Sequence, residues 1–217
     1  MHLGYKRVGL FAAEAPQLAA DPEFALRDEF ENIQTAINAL GKLTDGGVHF
    51  SLNDENYSGT PFHKIENVIQ HTFSGKHPAG NVGVQISHIS PIRKGETVWT
   101  VSLLMLAAIG KLFNTGKYDL RRKIAVTGPK ALNPSYVVAY PGLSMKEISD
   151  FYETAENIRF ISGDVLSGTN VGAEGFLGFF DNQITLIEEG NKFELLVLNG
   201  FAQPKSSNLL PSSISVI

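Results

Sequence analysis

The sequence predicts an α/β protein in two modules: an open sheet with helical crossovers over residues 1–120, then a small β-grasp domain over residues 121–200, a mixed sheet wrapping one helix. Three observations carry this expectation. Apolar runs alternate with amphipathic helix patterns through the first half, and short strands at turn-rich spacing, with one helical stretch among them, fill the second. No cysteine occurs in 217 residues, so a buried core and not crosslinks must hold the chain.

"KRVGLFAA" supplies a first apolar strand, Val8 to Phe11. In "EAPQLAADPEF", Asp21 can cap a helix and Pro22 suits its first position, where the missing amide is no loss. Through "FALRDEFENIQTAINALGKL" the residues Leu26, Phe30, Ile33, Ile37 and Leu40 share one helical face, which packs on a sheet. "TDGGVHFSL" stops that helix with glycine and starts a second strand, and "IENVIQHTF", Ile65 to Phe73, reads as a third. A glycine loop and a helix follow, then "TVWTVS", which alternates as a strand does, and "LLMLAAIGKLFNTGK", a helix closed by Gly116. Strand, helix, strand, strand, helix is the order of an open α/β sheet with crossover connections.

From Arg121 the texture changes. "RRKIAVTGP", "PSYVVAY", "IRFISGDVLSG" and "NQITLIEEGNKFELLVLNG" are short strands, with "LSMKEISDFY" as the helical stretch between them. Residues 201–217 read as a tail leading to a further region, because "SSNLLPSSISVI" stops on an apolar alternation that would pair with something beyond it. The first strand begins with hardly any leader and no signal-type apolar region, which reads as a cytoplasmic chain cut from a longer one.

Composition excludes several function classes. Without cysteine there is no disulfide, thiolate nucleophile, cysteine-based zinc site or iron–sulfur ligation in the chain. A net charge of −4 with no run of lysine or arginine argues against a nucleic-acid surface. The longest apolar stretch, Val98 to Phe113, is interrupted by polar residues and ends beside Lys111, too short for a clean bilayer span.

The segment most suggestive of a site is "FSGKHPAGNVG". It lies between a strand and a helix, where open α/β sheets bind ligands. Its candidate ligand-binding residues are Ser74, Gly75, Lys76, His77, Gly80 and Gly83, with His88 on the helix that follows. Glycine amides at a helix start, joined by Lys76 and His77, suit a phosphate or an acidic headgroup. The glycines at 75, 80 and 83 match neither GxxxxGK[ST] nor GxGxxG, and the competing reading is a tight turn that needs positive φ. His63, His71, His77 and His88 show no metal-binding spacing, so no metal site is expected; His71 and His88 read as hydrogen-bonded, partly buried residues. No GxSxG occurs, and no catalytic residue is assigned. Asp164 and Asp181 stand in turn contexts, where acids satisfy backbone amides. "GFLGFFDNQ" gathers Phe176, Phe179 and Phe180 between glycines, which suggests either an exposed partner-contact patch or alternate burial along a bent strand.

Several long strings, "FSGKHPAGNVG", "ISPI" with "ETVW", "AAIGKLFNTG", "VTGP" with "NPSYV", and "ISGDVLSGTNVGAEGFLGFFDNQITLIEEG", resemble in order and spacing the NqrA subunit of the bacterial Na⁺-translocating NADH:quinone reductase, as does "LAADP" at Leu18 to Pro22. The resemblance runs over nearly the whole chain. It implies a Rossmann-like part followed by a soluble-ligand-binding β-grasp domain, similar to the RnfC subunit of the Rnf complex and the NADH-binding subunit of complex I. It implies a polypeptide peripheral to the cytoplasmic side of the bacterial inner membrane, in a respiratory pump that passes electrons from NADH to ubiquinone and exports Na⁺. It implies that this chain binds no cofactor of its own, that flavins and the iron–sulfur centre belong to other subunits, and that quinone and those subunits are its partners. It also implies that the isolated chain is inactive and is a central fragment, and that the glycine loop is the remnant of a nucleotide cleft.

Overall fold

The computed structural model describes residues 7–9, 22–44, 46–53, 61–76, 78–190 and 215–216. Contacts divide the chain into two compact units. The first holds the described residues up to Ile124, with Val138–Tyr140 and the strand at 215–216; the second holds Ala125–Val137 and residues 141–190. Architecture is mixed α/β, with one five-stranded sheet early in the chain and another later.

The strands of the first sheet are β1 (Arg7–Gly9), β2 (Val48–Asn53), β3 (Ile69–Ser74), β4 (Val98–Trp99) and β10 (Ser215–Val216). They lie in the order β10-β3-β2-β1-β4. β1 runs parallel to both β2 and β4, and β2 runs parallel to β3, so each link needs a crossover; β10 closes the edge antiparallel to β3, Ser215 facing Ser74.

The early helical pattern is realised as two pieces, α1 (Pro22–Leu26) and α2 (Phe30–Leu40). The expected continuous helix breaks where the Glu29 amide closes a turn on the Leu26 carbonyl at 2.9 Å. Asp21 lies outside the described residues. The apolar face holds across the break: Leu26, Ile33 and Ile37 are buried, while Phe30 and Leu40 flank the same core. Opposite them stand Val48, Phe50 and Leu52, alternate residues of β2, and Leu103, Leu106 and Ala107 of α4 (Leu103–Thr115). Ser102 caps α4 by accepting the Met105 amide at 3.3 Å, and Gly116 ends it in the left-handed conformation at φ 69°, its amide returned to the Leu112 carbonyl at 2.8 Å. α4 meets α2 at Gly110, where a Cβ would lie 1.7 Å from the Asn32 carbonyl oxygen, so only glycine admits this approach.

Two expected strands are shorter than their patterns. β3 begins at Ile69 and not Ile65, because α2 holds the residues before it: the Gln34 side-chain amide donates to the Glu66 carbonyl at 3.1 Å and accepts the Glu66 amide at 2.9 Å. Asn67, at φ 61°, donates to Asn38 at 2.9 Å and turns the backbone out of the extended region. β4 ends at Trp99, since Ser102 is already the cap of α4. The first strand is described only as Arg7–Gly9; residues 10 and 11 lie outside the described residues.

The later sheet is built from β5 (Arg122–Thr127), β6 (Ser135–Ala139), β7 (Ile158–Ser162), β8 (Thr169–Asn170) and β9 (Gln183–Glu188), in the order β6-β5-β9-β7-β8. β5 and β9 are parallel, whereas β7 is antiparallel to both β8 and β9, so the sheet is mixed. The expected helix "LSMKEISDFY" is a 3₁₀ helix, Met145–Phe151. It is kinked at Ile148 (φ −99°, ψ 22°), and Met145 and Ile148 are its buried residues. Among the described residues no helix is long and apolar enough to cross a membrane.

Candidate functional site

The glycine loop sits at the C-terminal end of β3 and leads into α3 (Val82–Ile89), as its position in the sequence predicts. Ser74 is the last strand residue; Gly75 follows at φ 131°, and Gly75 and Lys76 are exposed. His77 lies outside the described residues. The loop satisfies part of itself. Ala79 donates to the Lys76 carbonyl at 3.0 Å, and Asn81 donates to the Pro78 carbonyl at 2.9 Å, a pattern of tight turns through Gly80. Gln85, buried in α3, fastens the loop from below by donating to the Ala79 carbonyl at 3.2 Å, while its Oε1 has no partner among the described residues. Gly83 stands in the first turn of α3 with open space where a Cβ would be, so packing does not demand glycine there.

The histidines separate. His88 is exposed and not partly buried as expected; its Nδ1 bonds the Val84 carbonyl of its own helix at 2.8 Å. His63 lies in a 3₁₀ turn, Pro61–Lys64. His71 of β3 is half-buried and meets a residue that sequence reading passed over, His49 of β2: Nδ1 of His49 and Nε2 of His71 are 2.9 Å apart. The rings are inclined by only 12° with centroids 5.2 Å apart. With nitrogen so close to nitrogen, that separation means two nearly coplanar rings lying edge to edge, one donating and the other accepting. Burial pushes the pKa of His71 down, because the charged imidazolium loses water there. Alternation along β2 places His49 on the face opposite the core residues, a signal visible in sequence; the register that sets it beside His71 is not. Among the described residues no group of three or more His, Asp or Glu can hold a metal ion.

In the second unit a glycine-rich loop is organised around Ser162 and Asp181. The buried Ser162 hydroxyl donates to Asp181 Oδ2 at 2.5 Å and accepts the Gly178 amide at 2.8 Å. A Cβ on Gly178 would lie 2.3 Å from that same carboxylate oxygen. Asp164 closes the preceding turn by accepting the amides of Leu166 (2.6 Å) and Ser167 (2.9 Å) and the Ser167 hydroxyl (2.6 Å), the turn role its context predicts. Burial alone would raise the pKa of Asp164; the Ser167 and Leu166 donors outweigh it and hold the carboxyl below its ordinary value. Leu177 is buried and anchors the loop by donating to the Leu143 carbonyl at 2.8 Å. Around it the phenylalanines are outward: Phe176 is 61 % exposed, Phe179 43 % and Phe180 78 %, the last two in edge-to-face contact at 5.1 Å. Alternate burial along a bent strand is therefore not what this segment does.

A third cluster was not legible in the sequence. Asp119 accepts from Lys111 Nζ at 3.0 Å and from Arg121 through its amide (3.0 Å) and its guanidinium (2.7 Å to Nη2). These donors, Arg121 foremost, hold the Asp119 carboxyl well below the usual carboxylate range.

A largely parallel sheet with crossover helices, followed by a mixed sheet with an exposed aromatic loop, defines a protein of mixed α/β class. Sequence relatives narrow this class. The family model described as "NqrA second alpha/beta domain" matches residues 8–118, and that described as "NQRA C-terminal domain" matches residues 123–173; the chain belongs to the NqrA family. It is 36 % identical over 187 residues to the NqrA subunit of the Na(+)-translocating NADH-quinone reductase of Rhodopirellula baltica, covering 85 % of this chain and 41 % of that protein. It is 35 % identical over 199 residues to the protein of the same name from Shewanella frigidimarina, covering 90 % and 43 %. The chain thus spans about two fifths of the length of the curated relatives it matches.

Proposed function

We propose that this chain is the central part of the NqrA subunit of a Na⁺-translocating NADH:ubiquinone reductase, with a Rossmann-like first unit and a β-grasp second unit. Its work is assembly and a share in quinone binding, and the complex exports Na⁺. The relatives that match most of the chain carry that name, which supports the reading. The single structural observation that carries it is the exposure of Phe176, Phe179 and Phe180 on a loop fastened by Ser162, Asp164 and Asp181. Three large aromatic rings held outward by a hydrogen-bonded frame make a surface for a neighbouring polypeptide of the complex, since burying them there removes apolar area from water. In this reading the chain binds no cofactor itself; flavins and the iron–sulfur centre sit in other subunits, and the chain lies at the cytoplasmic face, peripheral to the membrane and inactive alone.

The test replaces all three phenylalanines by serine in full-length NqrA and measures co-purification with the remaining subunits. Loss of assembly with an unchanged unfolding midpoint supports the assembly role; full assembly with wild-type quinone reductase activity overturns it.

A second reading, nucleotide or flavin binding at the glycine loop, is favoured by the loop's place after β3 and by the unpartnered Gln85 Oε1 beneath it. NADH and FMN, titrated separately from a short-chain quinone, then raise the unfolding midpoint with ligand concentration. A rise with quinone alone favours the first reading and removes the second.

A further inference from the structure

We propose that a cavity in the first unit binds a small organic anion, a carboxylate carried on a compact apolar body. The cavity, partly open to solvent, has a volume of about 200 Å³, and every residue lining it belongs to that unit. Such a volume lies below the roughly 300–1,000 Å³ of drug-sized sites, so it suits a ligand of about one ring. One wall is apolar, formed by Leu26 of α1 and Leu104, Ala107 and Ala108 of α4. The other is charged: Lys111, Arg121, Arg122 and Lys123 face Glu29 and Asp119, and Asp28 pairs with Lys123 from beside the lining, so four bases stand against three acids in a chain whose net charge is −4. A surplus of positive charge beside an apolar wall selects an amphipathic anion over a neutral ring and over a fully hydrated ion.

The cavity edge already receives one carboxylate in this way. Asp119 lies between Lys111 and the guanidinium of Arg121. Arg121 remains 55 % exposed beyond that contact, and Lys123 reaches Asp28 at 3.1 Å, whose side chain is 73 % exposed. An ion pair so open to water is weak, and a better-shielded carboxylate from a ligand competes for Lys123. This anion site is separate from the glycine loop and the aromatic loop, and does not rest on the assignment to a reductase.

The probe is benzoate, titrated into the 217-residue chain at constant ionic strength, with benzamide and inorganic phosphate as controls. Benzoate is expected to raise the unfolding midpoint saturably, while benzamide and phosphate leave it unmoved. No rise with benzoate overturns the proposal, as does an equal rise with benzamide, which shows a merely apolar cavity, or with phosphate, which shows a general anion effect. Ala108→Leu fills the apolar wall and is expected to abolish the benzoate shift; a shift that persists overturns the site. Should that variant fail to fold, Lys123→Gln decides by calorimetry: binding weakened by about tenfold supports the site, as for loss of a charge-assisted contact, and unchanged binding overturns it.

Discussion

At Gly83 a methyl group would enter open space within the first turn of α3, although the sequence grouped this glycine with a ligand loop. Helical glycine is less favourable than alanine by up to about 1 kcal/mol, so Gly83→Ala is expected to raise stability by roughly 0.5–1 kcal/mol in urea unfolding. A fall instead would mean that the backbone there needs glycine. His71 carries a pH dependence. Its pKa is lowered in the fold, so the native state favours the neutral ring; the resulting stability is complete above the ordinary value of 6.5 and is lost as the pH falls below it. The urea midpoint is therefore expected to drop between pH 8 and pH 5.5, and to drop less in His71→Gln. At this scale the chemistry of single residues was legible, as Asp164 in its turn illustrates, but pairings such as His49 with His71 were not. They join residues on neighbouring strands, and register follows from the whole sheet and not from local spacing.

Elements with their own punctuation were readable from sequence. α4 ends at Gly116 as its stop signal predicts, because left-handed glycine acts locally, whereas its start at the Ser102 cap falls where the apolar alternation reads as strand. Ser102→Ala is expected to lower stability by about 1 kcal/mol in thermal unfolding, through loss of the bond to the Met105 amide. Gly110→Ala should be harsher. The added Cβ meets the Asn32 carbonyl oxygen, so α2 and α4 must part, and overpacking of this kind costs about 1–3 kcal/mol. A midpoint within error of wild type would contradict that close approach. Elements whose limits are set from outside were misread. The Gln34 amide and Asn38 hold residues before β3 out of the ladder, and the apolar pattern of Ile65–Phe73 contains no trace of them. The helical stretch between β6 and β7 is present as expected, as 3₁₀ turns kinked at Ile148.

For the whole molecule, Phe176, Phe179 and Phe180 make contrasting demands on folding and association. Triple replacement by serine is expected to change the unfolding free energy of the chain by less than about 1 kcal/mol, since the rings are already exposed. A larger loss of stability would assign them to the fold and not to a partner. The sequence by itself determined the α/β class, the exclusion of cysteine chemistry, the position of the glycine loop between strand and helix, and the family, because composition, periodicity and long local strings are written along the chain. Only the tertiary structure decided that the glycine loop bonds partly to itself, that the three phenylalanines face water while Leu177 does not, and that Lys111, Asp119 and Arg121 meet beside a cavity. Each depends on which distant segment occupies the space alongside, and excluded volume settles that only when all elements are packed together.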